Sequence, residues 1–165
     1  MKPSRKELLQ RKHKGLTTLP GWITAFEEAT KDTISPDNFL DLDKTEELRT
    51  KFFDHVRNFE GKPRFASNCD LGILKSGLQN RFYQGENLEV ILFHSMDKYI
   101  GALLTQANVI LKNLEAIWRV AEEDLCVATL DLASGFCLER NYYDSNGGYF
   151  PAGLLELTSW GKFAG

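Results

Sequence analysis

Four consecutive residues, His94-Ser95-Met96-Asp97, place an imidazole, a hydroxyl and a carboxylate where an apolar run ends and a helical pattern begins. At such a junction free amide groups and a helix dipole can hold an anion, and the active sites of open sheets gather there. One reading is therefore a small α/β enzyme acting on an anionic substrate. The other is structural: Ser95 caps the helix, Asp97 complements its positive end and His94 closes the strand. No G-x-S-x-G elbow surrounds Ser95, and Gly15, Gly21, Gly61 and Gly72 stand alone, so P-loop and dinucleotide fingerprints are absent.

Metal ligation would require Cys69, Cys126, Cys137 and the three histidines to converge, but no C-x-x-C or H-x-x-x-H pair occurs. Neither a metal nor a cofactor is expected. A turn centred on Ser134-Gly135 sets Cys126 opposite Tyr143 and not opposite Cys137, which leaves both thiols as small apolar fillers. Three cysteines, an odd number without a secretory signal, read as reduced thiols of a cytoplasmic protein. Arg11, Lys12, His13 and Lys14 fall where the apolar stretch of such a signal would lie. The longest uncharged apolar run, Tyr99–Leu104, is far short of the ~20 residues a membrane span needs. Asp131, Glu139 and Asp144 show no spacing that pairs them for acid–base work and read as solvated carboxylates.

Charge separates the chain into two parts. The net charge is −3, yet residues 1–14 carry six basic side chains (Lys2, Arg5, Lys6, Arg11, Lys12, Lys14) against Glu7 alone. The remaining 151 residues hold 14 basic and 22 acidic side chains, a net of −8. An acidic body argues against a phosphate-backbone binder and for a basic partner; nucleic-acid contact through Lys2–Lys14 is the weaker reading. Acidic residues gather at Asp41, Asp43, Glu46, Glu47 and Asp54, and again at Glu122, Glu123 and Asp124. Tyr142, Tyr143, Asp144, Tyr149 and Phe150 surround a glycine turn, a composition favoured in protein interfaces, with core packing of some rings as the alternative.

The elements that would position these groups follow from periodicity. With 42% apolar and 26% charged residues, 165 residues are expected to form a single domain. Ser4 and Glu7 suit a capping box, but Gly15 and Pro20-Gly21 predict that residues 1–21 are a short helix or a flexible basic arm. Trp22–Lys31 gives a turn or two of amphipathic helix, ended by Ser35-Pro36-Asp37. Asp43 is the expected N-cap of a helix over 44–60, with Leu48, Phe52, Val56 and Phe59 on one face and Gly61-Lys62-Pro63 as its stop. Residues 64–87 lean to a short helix through Leu74, Leu78 and Phe82. Leu88–His94, bounded by Gly85-Glu86-Asn87, reads as a buried strand. Ile100, Leu103, Leu104, Ala107, Leu111, Leu114, Trp118 and Ala121 predict one long central helix over 97–121. Strands over 125–132, 136–143 and 149–160 then form a meander, the last of them edge-bound or broken near its start by Pro151 and Gly153, with Trp160 covering the sheet edge. Strand, crossover helix and strand imply a parallel return. The expected fold is α+β, with N-terminal helices and one mixed sheet.

The C-terminal half, from Leu88-Glu89-Val90-Ile91-Leu92-Phe93 through Asp131-Leu132-Ala133-Ser134-Gly135-Phe136 to Leu157-Thr158-Ser159-Trp160-Gly161, resembles small bacterial immunity proteins that neutralise contact-dependent or other polymorphic toxins. The resemblance rests on size, an acidic body, missing catalytic motifs and an aromatic-rich meander. It implies a non-enzymatic, cytoplasmic inhibitor that binds a basic toxin domain, a nuclease in the usual case, and blocks its active site. The contacts expected of it are Tyr142, Tyr143, Asp144, Tyr149 and Phe150, with Glu122, Glu123 and Asp124 as steering charges.

Overall fold

The computed structural model describes residues 2–61, 64–67, 71–79, 88–121, 124–143 and 146–164; Lys62-Pro63, Cys69, Phe82, Gly85-Glu86-Asn87, Glu122, Glu123, Asp144 and Ser145 lie outside the described residues. Strands β1 (Arg64–Ser67), β2 (Glu89–Phe93), β3 (Leu103–Gln106), β4 (Asp124–Ala128), β5 (Gly135–Tyr143) and β6 (Tyr149–Trp160) form one sheet in the order β1-β6-β5-β4-β2-β3. The helices are α1 (Arg5–Thr30), α2 (Leu42–Arg57), α3 (Leu71–Gln79), α4 (Asp97–Ile100), α5 (Ala107–Lys112) and α6 (Leu114–Val120). The class is α+β.

The strands read as continuous apolar runs because both faces of the sheet are covered. Val90, Leu92, Leu125, Val127, Phe136, Leu138, Leu155 and Leu157 point to one side, where they share a core with Trp22 and Phe26 of α1, Leu74 and Leu78 of α3, and the stripe of α5 and α6. The alternating set, Ile91, Phe93, Cys126, Ala128, Cys137 and Trp160, packs on Leu48 and Phe52 of α2. Trp160 therefore lies on the α2 face among Phe52, His55 and Phe59, with its Nε1–H donated to the Leu132 carbonyl, and does not cover an edge.

Every strand pair is antiparallel, which corrects the expected mixed sheet. The reason is that the 97–121 stretch is not one helix. Gly101 adopts φ 87°, and a Cβ there would stand 1.9 Å from the Leu40 carbonyl oxygen, so the chain breaks after α4. Leu103–Gln106 then pairs with β2 as a strand. A second break follows at Asn113, whose backbone leaves the helical region (φ −117°, ψ 28°) while its side chain bonds the Val109 carbonyl. β3 and β4 flank β2 and run in the same direction, so the crossover through α5 and α6 joins β3 to β4. The stripe itself survives where helix exists: Ala107, Leu111, Leu114, Trp118 and Ala121 are all buried.

At the N-terminus the expected arm is the first half of a 26-residue helix. Ser4 and Glu7 form the capping box, with the Ser4 amide donating to Glu7 Oε2 at 2.6 Å and the Glu7 amide to Ser4 Oγ at 3.3 Å. Gly15 does not interrupt α1. It lets the helix touch α4, since a Cβ there would meet the Tyr99 carbonyl oxygen at 2.3 Å. Helix α2 starts two residues earlier than expected: Asp41, not Asp43, accepts from the Lys44 amide at 2.7 Å as its N-cap. β6 is an interior strand and not an edge, although β1 pairs only with Leu154–Leu157, beyond Pro151 and the positive-φ Gly153.

Candidate functional site

One end of the sheet collects His94–Asp97, Asp124, Glu139 and the tyrosines of the β5–β6 hairpin. The C-terminal end of β2, the start of β4, the far part of β5 and the start of β6 meet there because the neighbouring strands alternate in direction.

The His94–Asp97 tetrad is turned inward. His94 is 2% exposed and Asp97 1%. The Met96 amide donates to His94 Nδ1 at 3.2 Å, which places the ring proton on Nε2, 3.0 Å from the Gly101 carbonyl oxygen that accepts it. Trp22 lies against the ring at 4.3 Å between centroids. Burial pushes the imidazole down to about 3, so it stays neutral at ordinary pH. Asp97 accepts from the His94 amide at 3.2 Å and from the Arg49 guanidinium of α2. Its burial raises the carboxyl above the usual range, opposed chiefly by Arg49. Ser95 caps nothing: the N-cap of α4 is Met96, without a side-chain cap, and Ser95 Oγ is buried without a hydrogen-bond partner. A four-residue helix offers little dipole, and both imidazole nitrogens are already engaged. Outside this cluster a cleft of about 750 Å³ opens between the start of α1 and α2, where Lys2, Arg11, Arg49 and Lys98 face Asp43, Glu46 and Asp97. Of the six basic residues of 1–14, Lys2 and Arg11 line it; Arg11 is half-buried and the other five are exposed.

Across the middle strands runs a row of acids. The register aligns Asp124 of β4 with Glu139 of β5 and Glu139 with Glu156 of β6, so the three carboxylates share a face. Burial, then Asp124 and Glu156, raise the Glu139 carboxyl. On the next rung Cys126 stands directly opposite Cys137, which overturns the expected pairing of Cys126 with Tyr143. The hairpin turns between Asp131 and Leu132, with Leu132 at φ 59° and the Thr129 hydroxyl on Asp131. The two sulfurs are 3.2 Å apart.

Beyond the acids the hairpin of β5 and β6 ends in tyrosines. Tyr142, Tyr143 and Tyr149 are 44%, 66% and 61% exposed, and the rings of Tyr143 and Tyr149 pair at 5.3 Å between centroids. Phe150 is half-buried. A register shift between Asn141 and Tyr143 twists the tip. Asn141 is tied down by donating to Glu156 Oε2 at 2.6 Å. Of the expected contacts, the structure pairs Tyr143 with Tyr149, places Tyr142 and Phe150 next to them along β5 and β6, and sets Asp124 in the acid row, while Glu122, Glu123 and Asp144 lie outside the described residues. Glu139 and Glu156 are the members that sequence reasoning missed as a group; period-two spacing on facing strands would have found them once the turn was placed correctly.

No family model matches the chain, and no curated protein and no solved structure matches it significantly.

Proposed function

We propose that this protein works without turnover, by stoichiometric binding of a basic protein domain, and that the domain is a toxin it neutralises. The observation that supports this reading most is the exposed tyrosine tip beside the acid row. Tyrosines give large contact area at small entropic cost, and three of them held on one hairpin form a ready-made anchor. From Glu139 to Tyr143 is about 13 Å along β5, so a partner seated on the tip reaches the carboxylates of Asp124, Glu139 and Glu156 as well. The net −8 of residues 15–165 favours a cationic partner and speeds encounter with it. Nuclease domains, which must carry positive charge to hold phosphates, fit that requirement.

The test is co-expression with the product of the adjacent open reading frame. The expected result is a one-to-one complex that survives gel filtration and restores growth to cells that the neighbour alone arrests. A harmless neighbour, or the absence of a complex, sinks the reading.

One observation favours a second reading, an enzyme acting on an anion: the cleft next to the Arg49–Asp97 pair presents Lys2, Arg11 and Lys98, with Asp43 and Glu46 on its wall. It predicts that phosphate or a nucleotide raises the melting temperature and that Arg11→Ala removes the effect. The same titration with no shift eliminates it.

A further inference from the structure

Three ligand-bearing side chains, Asp124, Cys126 and Cys137, converge on the α2 face of β4 and β5, and Glu139 stands opposite Asp124 on the same face. We propose that Asp124, Cys126, Cys137 and Glu139 form a site for one tetrahedrally coordinated, thiophilic divalent cation of the zinc class.

The geometry is that of a nearly closed ligand set. The donor atoms of Asp124, Cys126 and Cys137 all lie within 4.8 Å of one another. Cys126 Sγ is 3.2 Å from Cys137 Sγ and 3.7 Å from Asp124 Oδ1. Glu139 is the cross-strand partner of Asp124 and lies on the same face as Cys137, two residues along β5. Around zinc, with Zn–S about 2.3 Å and Zn–O about 2.0–2.2 Å, tetrahedral donors stand roughly 3.5–3.8 Å apart. The sulfurs need to open by only about half an ångström, within reach of small side-chain rotations on fixed strands. Two thiols with two carboxylates suit a borderline-soft cation better than magnesium or calcium, which take oxygen alone.

Electrostatics point the same way. Like charges placed directly opposite on a sheet repel, yet Asp124, Glu139 and Glu156 are aligned, and among the described residues no ion pair engages any of them. A divalent cation relieves this repulsion, since it attracts the aligned carboxylates. Asp124 is exposed and gives the ion a way in, while both sulfurs are 2% exposed and shielded from bulk water once the ion is held. Binding is a simple exchange: each thiol gives its proton to solvent, two metal–sulfur bonds form, and no atom changes oxidation state.

The experiment uses the full chain carrying Cys69→Ser, so that the third cysteine contributes nothing, in reduced and metal-free form. Titration with cadmium should produce the charge-transfer band of a metal dithiolate that saturates at one ion per chain, and zinc should compete it away. Zinc should release about two protons per ion bound and raise the melting temperature in proportion to the logarithm of free zinc. Cys126→Ser with Cys137→Ser removes the band. Because buried cysteine variants can fail to fold, the decisive variant is the exposed Asp124→Asn, which should keep the metal-free melting temperature and weaken zinc by at least about tenfold. The proposal is overturned by no saturable band in the Cys69→Ser protein, or by zinc affinity that Asp124→Asn and Glu139→Gln together leave unchanged.

Discussion

His94 shows how a residue type suited to catalysis becomes structural once both of its nitrogens are used. Its pKa is lowered from 6.5 to about 3 by burial, so the unfolded chain binds a proton that the folded one refuses. Stability from this group is fully present above pH 6.5 and is lost as pH falls towards 3. By about pH 4 the loss should reach roughly 3 kcal/mol. Asp97, raised by burial, titrates in the opposite sense and offsets a part of it. Urea midpoints across this range should show the slope in the native chain and a flatter one in His94→Gln; identical slopes would remove His94 as the source. The cysteine register is a lesson at the same scale. Ser134-Gly135 looks like a turn, but Gly135 is needed inside the strand, where a Cβ would stand 2.5 Å from Trp160 and 2.8 Å from the Val127 carbonyl oxygen. A glycine that serves packing cannot be told by type from one that serves a turn.

Among the elements, the helix over 97–121 was legible in one half only. Leu111, Leu114 and Trp118 are buried as their spacing implies, and Leu111→Ala should cost about 2–5 kcal/mol in denaturant melts. A loss below about 1 kcal/mol would mean that the site collapses around the smaller side chain. In the other half Leu103 and Leu104 satisfy helical spacing equally well, but they lie on a strand and belong to opposite cores. Spacings of three and four cannot exclude a short strand that starts at a glycine, because the decisive fact is the Leu40 carbonyl oxygen against Gly101, a contact over sixty residues of chain that no local pattern encodes. Gly101→Ala should therefore destabilise more than the ~1 kcal/mol typical of a point change, since it meets both the positive φ and that oxygen. Thermal melts with Gly21→Ala as the control, where nothing lies within 4 Å, separate this from a general effect of losing glycine. The capping box of α1 and the amphipathic face of α2 were readable because both are local.

At the scale of the whole molecule the sequence revealed an acidic body and an aromatic cluster but not that the two meet at one end of the sheet, since that depends on strand order. If the tyrosine tip anchors a basic partner, Tyr143→Ala should act mainly on dissociation, at roughly 2 kcal/mol or more. Glu156→Gln, which keeps an acceptor for Asn141, should slow association and flatten its dependence on salt. Surface plasmon resonance at two ionic strengths distinguishes them, and equal effects on both rates would count against the division of labour. The sheet order also bears on how the chain reaches its native state. β1 pairs Arg64 with Leu157, a closure across about 90 residues, whereas the β4, β5 and β6 hairpins close over short loops. During synthesis β1 leaves the ribosome long before its partner strand exists, and α1 and α2 must wait with it for the surfaces they cover. The C-terminal meander assembles as an early cooperative unit on which β1 docks last, so the amides of β1 should be among the first of the sheet to exchange with deuterium.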